Sequence, residues 1–144
     1  MSQAILIRDC MVPNPATVTR ETPITAVIDL LLSRQLSGVP VVDASRRVVG
    51  FVSERDCIRK LLVSTYHCDN LLMVRDIMRE DTVTVSPNES VFDLARRMDD
   101  QKPKIYPVVE DGVLVGVIAR PQVLQVLKQA FVSCGGAPES ARSR

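Results

Sequence analysis

The sequence predicts an α/β protein built from two similar modules packed about a pseudo-two-fold axis. Each module runs strand, helix, strand, strand, helix. Three observations lead there. Ile7-Arg8-Asp9-Cys10-Met11 returns as Val74-Arg75-Asp76-Ile77-Met78, an offset of 67 positions (78 − 11). The same offset carries Thr17-Val18 onto Thr84-Val85 and Pro40-Val41-Val42 onto Pro107-Val108-Val109, and with one residue dropped Val49-Gly50 falls on Val115-Gly116. Helical and strand periodicities also follow one another in the same order in both copies. A unit this long, present only twice, is not a solenoid repeat. A pseudo-two-fold axis creates two related clefts, so a ligand site is expected between the modules.

In the first copy, residues 16–19 read as a short strand. Thr22-Pro23 then opens a helix, Thr as cap and Pro at the first helical position. Ile24, Val27, Ile28, Leu31 and Leu32 share one face, and Gly38 interrupts the pattern. Residues 39–42 are apolar throughout, as in a buried strand. Residues 43–46 form a turn and 48–52 the return strand of a hairpin. A helix from about residue 54 to 62 follows, with Ile58, Leu61 and Leu62 inward.

The second copy repeats this order. Residues 82–85 are a strand, and Ser86-Pro87-Asn88-Glu89 has the capping-box pattern. Val91, Leu94, Ala95 and Met98 form the apolar face of the next helix. Residues 105–109 and 113–118 make a hairpin around Glu110-Asp111-Gly112, and 123–131 is the closing helix. The expected organisation is a first repeat over 5–63, a connector over 64–73, a second repeat over 74–131 and a mobile Gly/Ser/Pro-rich tail over 132–144.

Composition narrows the function. The chain has 144 residues, 46% of them hydrophobic, enough for a sizeable core. Eighteen basic and 17 acidic residues leave a net charge of +1, so no strong field for nucleic acid or anionic lipid exists. With no Trp, two Tyr and three Phe, the chain offers little for base stacking. No apolar run reaches membrane-spanning length, and Arg8-Asp9 breaks the N-terminal one, so neither a span nor a signal peptide is expected. Cys10, Cys57, Cys68 and Cys134 lack CxxC spacing and read as reduced thiols of a cytoplasmic protein rather than metal ligands.

Helix, then Gly38-Val39-Pro40-Val41-Val42-Asp43, then Val49-Gly50-Phe51-Val52-Ser53-Glu54-Arg55-Asp56, resembles a CBS domain, named for cystathionine β-synthase. Ile105-Tyr106-Pro107-Val108-Val109-Glu110 and Val115-Gly116-Val117-Ile118-Ala119-Arg120 resemble a second. The resemblance covers residues 5–130 or so and implies a tandem pair, a Bateman module. Such pairs dimerise into disks, bind adenosine compounds between repeats and regulate an enzyme, channel or transporter.

The resemblance assigns the ligand-binding Ser and Asp to Ser53 and Asp56. The chemistry suits a nucleotide, because a carboxylate matches the two donors of a ribose diol and a helix N-terminus favours phosphate. The same Ser53-Glu54-Arg55-Asp56 is also S-x-x-D at a helix start, so a plain cap is the competing reading. The resemblance further places Met78, Val83 and Pro103 beside this pair. Ser37, Gly38 and Val39 complete the expected ligand-binding set. Ser37 and Gly38 are uncharged where some relatives carry basic phosphate ligands. In the second repeat Ala119 and Gln122 replace the Ser and Asp, and Pro121 starts the helix without a side-chain cap, so one competent cleft is expected.

Other features carry less. Arg46-Arg47 reads as a solvated turn, Arg55 and Lys102 as surface charges, and His67-Cys68-Asp69 as a polar connector, since adjacent side chains diverge. No phosphate loop, G-x-S-x-G or H-E-x-x-H occurs, and no catalytic or metal residues are expected. The expected function is a stand-alone cytoplasmic regulatory module. It binds AMP, ADP, ATP or S-adenosylmethionine as ligand and modulates a separate protein. A homodimer is expected, because helices 24–32 and 123–131 carry more apolar residues than a monomer needs. A ligand-free assembly module is the alternative.

Overall fold

The computed structural model describes residues 5–64, 71–98 and 104–135. Pro103, Lys102, His67, Cys68 and Asp69, most of the connector and the end of the tail lie outside the described residues. In chain order the elements are β1 (Val12–Pro13), α1 (Ile24–Arg34), β2 (Gly38–Val42), β3 (Val48–Ser53), α2 (Glu54–Ser64), α3 (Val91–Met98), β4 (Ile105–Glu110), β5 (Val113–Ala119) and α4 (Arg120–Ser133). One-turn 3-10 helices over Ile7–Asp9 and Val74–Asp76 precede the two halves. The expected α/β pair is therefore present. No helix among the described residues is long and apolar enough to cross a membrane.

The two hairpins correspond residue for residue. Pro40 pairs with Phe51 and Pro107 with Val117, and both ladders slip after the next residue, between Val41 and Val42 and between Val108 and Val109. The expected strands 16–19 and 82–85 shrink to single parallel bridges, Val18 to Val41 and Val85 to Val108. Only one residue in each meets the hairpin edge. Its N–H donates to the proline carbonyl, at 3.2 Å for Val18 and 3.0 Å for Val85.

Hairpin turns account for the dropped residue. β4 and β5 are joined by Asp111 (φ 54) and Gly112 (φ 81), the left-handed pair that a two-residue hairpin requires. The first hairpin uses 43–47 instead, with Arg46 at φ 63 and Asp43 Oδ1 accepting the N–H groups of Ser45 and Arg47, each at 2.9 Å. Arg46-Arg47 is more than a solvated turn. The Arg46 carbonyl accepts the Leu114 N–H at 2.9 Å, and Arg47 forms a bridge to Val113, so this turn joins the two repeats.

The leading segments are exchanged between the halves. Ile7 and Arg8 donate backbone N–H groups to Glu89 and Pro87, while Val74 and Arg75 donate to Thr22 and Arg20. β1 pairs with β5, with Val12 opposite Val117; Arg79, 67 positions after Val12 (79 − 12), pairs with Phe51 of β3. The cores follow the same exchange. Val74, Leu72, Ile77 and Met78 pack with Val27, Leu31, Val39, Val41 and Val52; Ile7, Ile5 and Met11 pack with Val91, Leu94, Tyr106, Val108 and Ile118. The repeated Asp has a local cause. Asp9 and Asp76 each turn a carboxylate back to the N–H that opens the 3-10 turn, at Leu6 and Met73.

Helix starts and faces differ from expectation in four places. Thr22 does not cap α1: its Oγ1 accepts the Thr19 N–H at 3.0 Å, closing the preceding turn. Ser86 and Glu89 do the same before α3, where Ser90 Oγ accepts the Phe92 N–H at 3.1 Å as the actual cap. α1 stops at Gln35, which adopts the left-handed conformation (φ 55), ahead of Gly38. On α2 the inward positions are Asp56, Cys57 and, in part, Leu61, leaving Ile58 and Leu62 exposed; Leu32 on α1 is exposed too. The apolar letters mark a stripe, but the Ser53–Asp56 bonds fix how α2 is rotated.

Candidate functional site

β3 ends at Ser53 and α2 begins one residue later, so Ser53 stands at the helix N-terminus. Its Oγ accepts the Asp56 N–H at 3.2 Å and donates to Asp56 Oδ2 at 2.9 Å; Oδ2 also accepts the Ser53 N–H at 2.9 Å. This is a reciprocal capping box with Asp in the third position. The capping reading of S-x-x-D is thus realised in full.

Capping does not exhaust Asp56. Its side chain is only 4% exposed, and its second oxygen, Oδ1, faces two guanidiniums: Arg79 Nε at 3.4 Å and Arg59 Nη1 at 3.9 Å. Buried carboxylates need such partners, because removal from water penalises the charged form. Both arginines are more than half exposed and so can move.

Ser37 and Gly38 are brought to this point. The Ser37 carbonyl accepts the Glu54 N–H at 2.9 Å, and Gly38 pairs with Ser53 across the hairpin. Gly38 is required by space: a Cβ there would lie 2.5 Å from Phe51 Cε2. Val39, by contrast, turns its side chain into the core and is 1% exposed, so it could offer a ligand only backbone groups. Met78 and Arg79 reach the site through the exchanged segment, where Arg79 and Phe51 trade two backbone hydrogen bonds of 2.9 Å. Val83 is 45% exposed, and its place beside the site rests on the resemblance alone. Pro103 is outside the described residues.

Sequence reasoning missed Arg79, Arg59 and Phe51. Arg79 lies 23 positions from Asp56, and an isolated arginine carries no motif. The exchange was the missing signal: with 78–79 laid along β3, Arg79 has to reach α2. Arg59 was legible, as an i, i+3 partner of Asp56 on one helix.

The second cleft lacks this cluster. Its helix start holds Ala119 and Gln122, and Gln122 Oε1 accepts the Ala119 N–H at 2.8 Å. The side-chain cap thought absent is therefore half present, because Gln can reach back as Glu does. At the offsets of the repeat, Arg79 corresponds to Val12 and Arg59 to Gln125, both uncharged. Tyr106, the counterpart of Val39, is 1% exposed with a hydroxyl that has no hydrogen-bond partner among the described residues. Burial pushes its pKa up, and nearby Arg97 and Arg120 oppose this. Among the described residues no group of three or more His, Cys, Asp or Glu side chains is placed to hold a metal ion.

Together these features define a class: a pair of α/β repeats with interleaved leading segments and one polar cluster where they meet. The chain belongs to the CBS domain family, whose model matches it twice, over residues 7–63 and 74–129. Among similar proteins, the uncharacterized protein MJ1225 of Methanocaldococcus jannaschii is 29% identical over 121 residues, covering 84% of this chain and 42% of that protein. The chain spans 38% and 14% of two further curated relatives, so it corresponds to only part of them. CBSX2 from Arabidopsis thaliana, solved in complex with AMP, is 27% identical with a TM-score of 0.76, covering 87% of this chain and 97% of that one. The CBS domain pair of MJ0100, solved with 5-methylthioadenosine and S-adenosylmethionine, shares the fold at a TM-score of 0.75 and 21% identity, covering 89% of this chain and 99% of that one.

Proposed function

We propose that this chain is a regulatory module that takes an adenosine-containing ligand in the cleft marked by Ser53 and Asp56 and modulates a separate protein in the cytoplasm. The observation that carries the reading is the one-sided cluster. Asp56 comes from α2 of the first repeat and Arg79 from the segment leading the second, and the other cleft has neither charge. A ligand engaging Asp56 acts on the joint between repeats, which is where a sensor needs to act. AMP bound to CBSX2 supports the ligand class. Ser53, Asp56, Ser37, Gly38 and Met78 line the cleft in this reading, with Val39 contributing backbone; Val83 and Pro103 belong to the set only by the resemblance.

The module acts as a homodimer. Ile58 and Val63 on α2 and Leu124 and Phe131 on α4 are each at least 60% exposed, which is costly for a monomer in water. The alternative, a ligand-free assembly module, rests on these same residues and on the fact that capping alone gives Ser53 and Asp56 a purpose. Calorimetric titration with AMP, ADP, ATP and S-adenosylmethionine decides. Saturable binding of one of them, with a matching rise in melting temperature, is the expected result. Silence from all four leaves the assembly module standing.

A further inference from the structure

We infer that two copies of this chain meet crosswise, the α2 face of each against the α4 face of the other, rather than like against like. The inference rests on the homodimer reading above and adds which helix meets which. α1 packs on α2 and α3 on α4, so each repeat offers a second copy one two-helix face. Either arrangement closes under a two-fold axis, but the chemistry of the two differs.

The two outer stripes are not equivalent. Ile58, Leu62 and Val63 of α2 are each at least 60% exposed. At the offset that carries Ser53 to Ala119, 66 positions (119 − 53), α4 holds Leu124, Lys128 and Gln129 instead. With Pro121 and Gln125 these three line a shallow groove. Like against like sets groove against groove, with Lys128 across the same seam from its own copy. Crosswise, a projecting Ile58 meets each groove. The aliphatic stem of Lys128 then covers apolar surface of the facing α2 while its ammonium stays in water.

Charge points the same way. α1 and α2 carry four bases and three acids, whereas α3 and α4 carry four bases and one acid. That one acid, Asp93, is taken by Arg96 at 2.6 Å, and Arg97 is taken by Glu89 at 2.8 Å. Arg120 and Lys128 have no ion-pair partner among the described residues, and α4 contains no acid to supply one. On the first repeat, Asp29 and Glu54 are exposed and equally unpaired, alongside unpaired Arg34, Arg55 and Lys60. That face is close to neutral, and the α3–α4 face is basic. Like against like stacks the basic face on itself. Crosswise contact divides the charge between two seams and brings the unpaired acids to the side that lacks them.

The test mixes two full-length variants, Ile58→Lys and Leu124→Glu, and reads the species by native mass spectrometry. Each variant alone should be a monomer, because either homodimer would bury an unpaired charge in both seams. Crosswise pairing of the mixture sets the two introduced charges, which are opposite, against each other in one seam and leaves the other seam as in the wild type. The heterodimer should then exceed either homodimer by at least about tenfold. Like-against-like pairing puts one unpaired charge in each seam and restores nothing. Ile58→Lys mixed with Leu124→Lys is the control and should stay monomeric. Both positions are exposed, so each chain should fold, as a melting curve checks. Should a charged variant fail to fold, Ile58→Cys mixed with Leu124→Cys, both in a Cys134→Ser background, should crosslink one chain to the other on mild oxidation, and Ile58→Cys alone should not. A mixture that stays monomeric, a single charged variant that stays dimeric, or a crosslink in Ile58→Cys alone overturns crosswise pairing while the homodimer stands. A monomeric wild type removes the homodimer itself, and this pairing with it.

Discussion

Met78 lies across Gly50 so closely that a Cβ on the glycine would fall 3.0 Å from its Sδ and 2.7 Å from the Arg79 carbonyl oxygen. The other half repeats the contact: a Cβ on Gly116 would meet Met11 Sδ at 2.7 Å and the Val12 carbonyl at 2.8 Å. Each glycine lets the other repeat's leading segment lie flat on the last strand of the hairpin. Gly50→Ala and Gly116→Ala are each expected to cost about 1–3 kcal/mol, since a backbone oxygen has to move in both. Denaturant melts measure it; values within about 0.5 kcal/mol of the parent would argue that the segments do not pack this closely.

Asp56 has two jobs, and substitution separates them. Asp56→Ala removes the returning half of the capping box and leaves Arg59 and Arg79 without their carboxylate, so stability should fall by about 1–2 kcal/mol. In the proposed function it also weakens adenosine-ligand binding on the order of a hundredfold. Gln122→Ala should leave that affinity nearly unchanged. Equal ligand affinity in wild type and Asp56→Ala would reduce the carboxylate to a cap.

Tyr106→Phe should hold or raise stability, by up to about 1 kcal/mol. The hydroxyl is buried without a partner among the described residues, so removing it ends a desolvation penalty while the ring keeps its packing. A loss of more than about 1 kcal/mol would mean that the hydroxyl is bonded in solution.

The thiols should react in a fixed order. Burial, then the carboxylates of Asp56 and Glu54, push the Cys57 thiol above its ordinary range; burial and Asp9 do the same for Cys10. A raised pKa means less thiolate at any given pH below it, and thiolate is the reactive form. Exposed Cys134 should therefore alkylate before Cys57 at about pH 8, with Cys57 catching up only as pH rises further. Mass mapping after timed alkylation reads this directly, and early labelling of Cys57 would contradict its burial.

Light scattering should give about twice the 15.9 kDa chain mass. Leu124→Glu, on the exposed face of α4, should return the chain to a monomer with its melting point little changed. A monomeric wild type at micromolar concentration removes the disk.

Much of this protein was written in its letters. The 67-position copy determined that there are two like halves, and runs such as Gly38-Val39-Pro40-Val41-Val42 and Val49-Gly50-Phe51-Val52 determined the hairpins. The hairpin signal is local, since strand runs and turn residues depend on near neighbours in the chain, and the copy is read by comparing the sequence with itself. The S-x-x-D pattern was likewise legible as a cap, because Ser53 and Asp56 are three residues apart. Which leading segment joins which core was not legible. Ile7 and Val74 are equally apolar, and either could fill either half; backbone pairing with Glu89 and with Thr22 decided it. That exchange placed Arg79 on Asp56, a contact between residues with no sequence relation. The face of α2 was not legible either: the apolar letters put Ile58 and Leu62 inward, but the Ser53–Asp56 cap bonds turn Asp56 and Cys57 to the core instead. Periodicity names the residues that can share a face. Only the assembled chain, where backbone donors and buried charges all need partners at once, decides which face is buried and which charge meets which.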